Sequence, residues 1–357
     1  MPKPHPITAK LSKWYEKNRR LLPWRESSNP YHIWLSEIIL QQTRVDQGTA
    51  YYIRFIKLFP TVGDLANAPE DVVLHAWQGL GYYARARNLH AAAKAIVNTH
   101  QGEFPNKYAA IRELKGIGDY TAAAISSIAF GLPHAAVDGN VNRVIARLFA
   151  IDDPVDSPTG RRHIAGLAKE LLDFENPGNH NQAMMELGAL ICTPRNPNCS
   201  NCPVQVHCSG FASKNQEHFP VKQGKTIVRN RFFTYLIFID KNQETLVRKR
   251  QEKDIWQGLH EFPLIESKNA MDQNTLHNSL KARYPINHSA SYRHQLSHQS
   301  LQIVFFTIRV DELPTAEWNN AICIRLCDVN QYALPRAITR HLSDVFSLLN
   351  ETRTTSI

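Results

Sequence analysis

Residues 114–121 read Leu114-Lys115-Gly116-Ile117-Gly118-Asp119-Tyr120-Thr121. Two glycines one residue apart separate two stretches with helical periodicity, Lys107–Leu114 and Tyr120–Phe130. Glycine permits the positive φ of a tight turn and leaves backbone N–H groups uncovered. At the start of the following helix, such groups form a site for a phosphate. A plain helix–helix turn satisfies the same pattern, so this stretch alone leaves anion binding open. It does establish an α-helical hairpin, and the flanking sequence continues in kind. Asn29-Pro30 is a cap followed by proline at the first helical position. The run Tyr31 to Val45 then places Ile33, Trp34, Ile38, Leu40 and Val45 on one broad face. Further helices are expected at Pro69–Gln78, Ala84–His100, Asn140–Phe149, Thr159–Leu172 and His180–Ile191, joined by short loops carrying Gly, Pro or Asn. Residues 8–210 therefore read as an all-α domain.

After Cys208 the texture changes. Ser213–Arg231 is polar and basic and reads as a linker. Phe232–Asp240, Glu244–Lys249 and Leu301–Val310 read as strands, the first apolar enough to be central in a sheet. With helices at Gln273–Tyr284 and Ala337–Leu349, the second half reads as an α+β domain. Two domains suit a length of 357 residues, and 43% hydrophobic residues exclude a fully disordered chain. No apolar run approaches the roughly 18–20 residues of a membrane helix, and MPKPHPITAK has no apolar core of a secretory signal. A cytoplasmic location is expected. The net charge of +9 is shared between the two halves of the chain and is not gathered in a tail. It points to a polyanion, either nucleic acid or an anionic membrane surface.

Four of the six cysteines, Cys192, Cys199, Cys202 and Cys208, are spaced C-x6-C-x2-C-x5-C. In a chain without an export signal this argues for ligation over disulfides. Thiolates suit zinc or an iron–sulfur cluster. Zinc sites often use two C-x2-C pairs. The single pair here, wrapped by longer loops, fits a cubane better and leaves zinc as the alternative. Cys323 and Cys327 stand apart as buried or reduced surface thiols.

Two carboxylates have contrasting settings. Asp138, in Val137-Asp138-Gly139-Asn140-Val141-Asn142-Arg143, suits the N-cap of the helix that follows. The helix dipole and N–H donors there are expected to keep it ionised. Glu37 lies on or beside the apolar face of its helix, where burial would raise its pKa and let it act as a general acid. A solvent-facing position at the helix edge is the alternative. One protonated and one ionised carboxyl suit cleavage of a glycosidic bond through an oxocarbenium-like state. Gln41-Gln42-Thr43-Arg44, continuing the same helix, offers groups for base edges. Gly79-Leu80-Gly81-Tyr82-Tyr83-Ala84-Arg85 interleaves aromatic and basic residues, as base-stacking surfaces do.

Together, the hairpin Leu114–Thr121, the downstream Asp138 and the loop Cys192–Cys208 resemble the helix–hairpin–helix DNA glycosylase superfamily. The cysteine loop resembles the [4Fe–4S] loop of endonuclease III and its relatives. Within the superfamily the chain is most similar to the MutY-type adenine glycosylases. The segments that carry this are Trp34–Glu37 through Gln41–Thr43, Gly79–Arg85, Val137–Arg143 and Asn181–Ala189. Trp256–Pro263 resembles a Nudix domain, and Arg293-His294-Gln295-Leu296-Ser297-His298 resembles the family's Phe-Ser-His loop with Leu296 replacing Phe. The Nudix box is absent, since Glu266 and Asp272 are the only acids between Leu264 and Tyr284. Nucleotide hydrolysis is therefore not expected.

The resemblance implies a multidomain chain. Residues 1–212 would be an all-α helix–hairpin–helix glycosylase domain with a cluster loop at 192–208. A linker at 213–230, an α+β Nudix-like domain at 231–350 and a tail at 351–357 would follow. It implies a monofunctional enzyme of base excision repair that flips out and hydrolyses adenine mispaired with 8-oxoguanine or guanine in duplex DNA. Glu37 would be the acid and Asp138 the stabiliser of the sugar cation, with Tyr120 and Asn140 supporting Asp138 and the reacting sugar by hydrogen bonds. Trp24, Arg25, Leu40, Val45 and Gln182 would form the adenine pocket. Gln42, Thr43, Leu80 and Tyr82 would hold the opposite strand, while Ser297 and His298 would read 8-oxoguanine. Gly116, Gly118 and Arg195 would contact phosphate. Cys192, Cys199, Cys202 and Cys208 would hold a [4Fe–4S] cluster. A monomer is expected, with other repair factors as partners by analogy. Bifunctional relatives carry a lysine where this chain has Tyr120, so a Schiff-base lyase step through that position is not expected. The rivals are an endonuclease III-type glycosylase/lyase acting on oxidised pyrimidines and a non-catalytic DNA-binding Fe–S protein.

Overall fold

The structure, a computed structural model, describes residues 5–224, 228–280, 283–318 and 320–343. The chain forms two compact units, Met1–Asn67 with Asn88–Lys225, and Ala68–Arg87 with Thr226–Ile357. The helices are α1 (Pro6–Asn18), α2 (Pro30–Leu40), α3 (Val45–Leu58), α4 (Val62–Asn67), α5 (Glu70–Ala76), α6 (Ala84–His100), α7 (Tyr108–Glu113), α8 (Asp119–Phe130), α9 (Gly139–Leu148), α10 (Pro158–Glu170), α11 (Pro177–Leu190), α12 (Ser209–Ala212) and α13 (Gln273–Ser279). The strands are β1 (Arg229–Ile239), β2 (Glu244–Lys249), β3 (His260–Glu261), β4 (Leu264–Ser267), β5 (Ile286–Gln295), β6 (Gln299–Arg309) and β7 (Ala321–Arg325).

The first unit is all-α. Its main core joins Ile7, Leu11 and Tyr15 of α1, Val141, Val144, Ile145 and Leu148 of α9, and Ala183, Met184 and Leu187 of α11. Burying each of the larger side chains contributes roughly 1.5–3 kcal/mol. α2 is buried along nearly its whole length and packs against α8, whose Ala122-Ala123-Ala124 run permits a close approach. Asn29 caps α2 by accepting from the Tyr31 N–H at 2.9 Å.

The periodicity from Tyr31 to Val45 predicts one helix, but the structure breaks it. α2 ends at Leu40, Gln42 takes a left-handed φ of 58°, and Arg44 is the extended N-cap of α3. Gln41, Gln42 and Thr43 thus form a turn between two helices. Residues 213–224 do not behave as a free linker either. Val155 N–H donates to Val221 O at 3.0 Å, and Gln223 N–H to Asp156 Oδ1 at 2.8 Å. Phe219 is buried in the α9–α11 core.

The second unit holds two sheets, ordered β4-β1-β6-β5 and β3-β2-β7. β1 lies antiparallel to β4 and parallel to β6, as expected of a central strand. Phe233 and Thr234 through Ile239 are all buried, which explains why this strand reads as an apolar run and not as an alternation. β5 and β6 form an antiparallel hairpin whose turn carries Ser297 and His298. The Leu296 N–H donates to Gln299 O, and the Arg229 N–H donates to His298 O, which ties the turn to the start of β1. The expected helix Gln273–Tyr284 ends at Ser279. Of the helix expected at Ala337–Leu349, residues 337–343 are helical and the remainder lies outside the described residues, as does the tail. Among the described residues no helix is long and apolar enough to cross a membrane.

Candidate active site and cluster loop

In the first unit, α2, α8, α9 and α11 surround a pocket of about 810 Å³. Glu37 reaches it from α2, Tyr120 from the first turn of α8, Asp138 and Asn140 from the start of α9, and Gln182 from α11. Trp24, Arg25, Leu40 and Val45 line it as well, and the turn residues Gln42 and Thr43 stand at its wall. The hairpin is what delivers Tyr120. Gly116 takes a φ of 82°, and a Cβ there would stand 2.6 Å from Cβ of Asn88. Gly118 is instead the extended N-cap of α8 with open space above it. Gly188 matters for packing, because a Cβ there would lie 2.5 Å from Cβ of Asn140. Its bare Cα lets α11 close onto the start of α9.

Asp138 caps α9. Its Oδ1 accepts from Val141 N–H at 2.7 Å and its Oδ2 from Asn140 Nδ2 at 2.9 Å. Arg143 then donates to Asn140 Oδ1 at 2.8 Å, holding the amide in place. The cap is expected to keep Asp138 at or below its ordinary pKa, but the direction is the reverse. Burial pushes the carboxyl above 3.8, outweighing the donors that pull it down. Glu37 is carried further, to about 7. Burial is the main cause and the Asp138 charge adds to it, while a hydrogen bond from Tyr120 and the charge of Arg25 oppose. The Tyr120 hydroxyl donates to Glu37 Oε2 and lies 3.3 Å from Met185 Sδ. Tyr120 therefore supports Glu37 and not, as the resemblance implies, Asp138.

A third carboxylate belongs to the pocket, one that sequence reasoning misses. Glu186 is buried on α11 and accepts from Arg20 Nε and Nη2 at 2.9 and 2.6 Å, and from Arg25 Nη1 and Nη2 at 3.0 and 2.9 Å. Burial would raise its pKa, but these donors bring it down to about 2. The sequence does carry one signal: Glu186 is the sole acid of α11 and lies one helical turn from Gln182. Arg25 is thus committed to Glu186 as well as to the pocket wall. A folded-state pKa below the usual 4.5 adds stability above that value, and this is lost as pH falls toward 2. Replacing Glu186 with Gln leaves two arginines short of a partner. Urea unfolding is expected to show a loss of about 3 kcal/mol at neutral pH.

In the second unit, Leu80, Tyr82, Ser297 and His298 line a cavity of about 450 Å³ with Leu296 and Trp256. Tyr82 has a φ of 48° and its hydroxyl hydrogen-bonds Ser297 Oγ. Arg85 steadies the segment through the Leu80 and Gly81 carbonyls, both at 3.2 Å. Neither residual Nudix acid is free for metal, since Glu266 pairs with Arg231 at 2.8 Å and Asp272 caps α13. Cys323 and Cys327 are exposed, and burial of its thiol together with Glu244 raises the Cys323 pKa to about 11.

Cys192, Cys199, Cys202 and Cys208 ring one cavity whose other walls include Val144, Leu148, Leu187, Val204 and Phe211. Four thiol donors lining one cavity fit a thiolate-held iron–sulfur cluster. Buried Arg147 donates to the carbonyls of Thr193 and Pro194 at 2.7 and 3.0 Å and to Cys192 Sγ at 3.4 Å, which supplies positive charge to a thiolate set. Arg195 is exposed on the same loop. At the hairpin, the exposed Asp119 at the start of α8 is paired with Arg112 at 2.6 Å.

Residues 35–169 match the HhH-GPD superfamily of base excision DNA repair proteins, residues 192–208 the iron–sulfur binding domain of endonuclease III, and residues 234–344 the NUDIX domain. The class is therefore a helix–hairpin–helix base excision repair glycosylase with a [4Fe–4S] cluster and a Nudix-like domain. A thermostable thymine-DNA glycosylase structure superposes with a TM-score of 0.54 at 29% identity, covering 58% of this chain and 95% of its own. An adenine DNA glycosylase of Buchnera aphidicola subsp. Baizongia pistaciae is 35% identical over 93% of this chain and 94% of its own. That of Buchnera aphidicola subsp. Schizaphis graminum is 34% identical over 82% and 84%. The chain belongs to the adenine DNA glycosylase family, whose members are N-glycosyl hydrolases.

Proposed function

We propose that this enzyme removes adenine mispaired with 8-oxoguanine in duplex DNA, acting as a monomer. The observation that carries the reading is the pocket of Glu37, Tyr120, Asp138 and Asn140, in which one carboxyl sits at about 7. An N-glycosidic bond is out of reach inside the base stack, so the adenine is extruded into this pocket. Trp24, Arg25, Leu40, Val45 and Gln182 enclose it. Glu37 donates its proton to N7 and makes adenine a leaving group, while Tyr120 holds the donor oxygen in place. Asp138, oriented by Val141 N–H and Asn140, stabilises the sugar cation or attacks it transiently. Gly116, Gly118 and Arg195 take phosphates, with Arg112 offsetting the acid of Asp119. Cys192, Cys199, Cys202 and Cys208 would hold the cluster, which would stiffen the loop that carries Arg195 and help dock it on DNA.

Gln42 and Thr43 hold the strand opposite the extruded base. Leu80, Tyr82, Ser297 and His298 recognise 8-oxoguanine, and the Tyr82–Ser297 hydrogen bond and the shared cavity support this. Release of base from adenine opposite 8-oxoguanine, guanine and thymine tests the reading. Fastest release opposite 8-oxoguanine is expected. Ser297→Ala with His298→Ala is expected to reduce the preference for 8-oxoguanine over guanine by about tenfold, the worth of one or two lost contacts to a base. An unchanged preference removes both residues from recognition. Among the described residues lining the pocket, the single lysine is Lys222, exposed at its edge. A borohydride-trapped covalent adduct with DNA would favour the glycosylase/lyase reading instead.

A further inference from the structure

Tyr15 stands behind the pocket wall, not in it. It is 3% exposed in the α1–α9–α11 core, and its hydroxyl lies 3.3 Å from Gln182 Oε1. Gln182 is the sole hydrogen-bond partner of that hydroxyl among the described residues. The Arg25 guanidinium lies over the Tyr15 ring, 5.6 Å from its centroid, and is itself locked to Glu186. An amide has two faces and can turn either toward the phenol. With Nε2 toward Tyr15, the phenol oxygen would accept and its buried O–H would be left without an acceptor, an arrangement proteins avoid. With Oε1 toward Tyr15, both groups are satisfied. Gln182 Nε2, which has no protein partner among the described residues, then faces the pocket with its two N–H groups.

We propose that Tyr15 is a positioning residue that fixes the Gln182 amide with its N–H groups inward, so that the pocket selects a purine presenting an unprotonated ring nitrogen. The inference rests on the adenine-excision reading and deepens it. Adenine offers such acceptors at N1 and N3 once N7 is taken by Glu37. Read at N1, the amide also rejects guanine, which carries a proton there and would set donor against donor; guanine keeps its N3 acceptor, so reading at N3 would not separate the two bases. The shared requirement is a ring-nitrogen acceptor, and the two positions are separated by the choice of probe.

The test is single-turnover base release by the full chain from duplexes carrying adenine, 1-deazaadenine or 3-deazaadenine opposite 8-oxoguanine. The wild type is expected to lose about tenfold or more on the analogue that lacks the acceptor Gln182 reads. Tyr15→Phe lets the amide turn. Adenine release should slow about three- to tenfold, and the adenine-to-analogue ratio should fall below about threefold. Gln182→Glu, which has no donor to turn inward, should collapse the ratio even if Tyr15→Phe proves unstable. A Tyr15→Phe or Gln182→Glu enzyme that keeps the wild-type ratio overturns the proposal, as does a wild type indifferent to both analogues. A wild type that releases no adenine at all overturns the reading of function instead.

Discussion

Glu37→Gln is expected to slow adenine release by about 10²–10⁴-fold, the range a positioned general acid supplies, while leaving duplex binding and the cluster chromophore intact. Glutamine keeps the shape and still accepts from Tyr120, but it has no proton to deliver to N7. The wild-type pH profile should carry the same signature. Burial lifts the Glu37 carboxyl to about 7, so the active, protonated form dominates below that pH and is depleted above it. The release rate should therefore fall as pH rises through about 7, approaching tenfold per unit beyond it. In Glu37→Gln this limb should vanish. Tyr120 donates to the carboxylate and so favours its charged form. Tyr120→Phe should move the limb to higher pH. A Glu37→Gln enzyme with wild-type rate, or a flat wild-type profile from pH 6 to 9, would show that the proton comes from elsewhere.

Glu37 was half legible: helix periodicity places it beside Ile33, Trp34 and Leu40 but leaves a solvent-facing edge open, and the family resemblance, not the spacing, marks it as the acid. Asp138 was legible as a cap but not in the direction of its pKa shift. A local motif shows the donors at a helix N-terminus but not the depth of the pocket, and depth prevailed. The helix break at Gln41–Arg44 was hidden because Leu40 and Val45 stay in phase with one apolar face, while the left-handed Gln42 needs no glycine to announce it. The hydrogen bond from Tyr120 to Glu37 links residues 83 apart in sequence, and no spacing rule reaches that far. The cysteine loop needed none, since all four sulfurs fall within one short segment.

Strands fared according to their burial. β1 was evident because it is apolar on both faces, whereas β5, Ile286–Gln295, is a mostly polar stretch organised by its pairing with β6. The membership of Ala68–Arg87 in the second unit was also invisible. Its helix α5 carries ordinary amphipathic periodicity. What binds it there are long-range contacts such as Arg87 to the Gln257 carbonyl and Gly258 under Leu74.

The second large effect is expected at Asp138. Asp138→Asn keeps the side-chain volume and a carbonyl oxygen that can still cap α9 by accepting from Val141 N–H, so the fold should survive with its melting temperature little changed. It removes the negative charge from the place where positive charge develops on the sugar. Once the extruded base fills the pocket and displaces its water, such a charge acts with little screening, and its loss is expected to cost about 10²–10³-fold in release, on the scale of other preorganised electrostatic groups. A further consequence separates this from mere misfolding. The Asp138 charge is one of the causes that raise the Glu37 pKa. Asp138→Asn should therefore shift the alkaline limb of the residual activity to lower pH, opposite to the shift expected for Tyr120→Phe. Residual activity that is slowed but keeps the wild-type limb would mean that the two carboxyls do not sense each other, and a rate close to wild type would mean that Asp138 acts only as a helix cap.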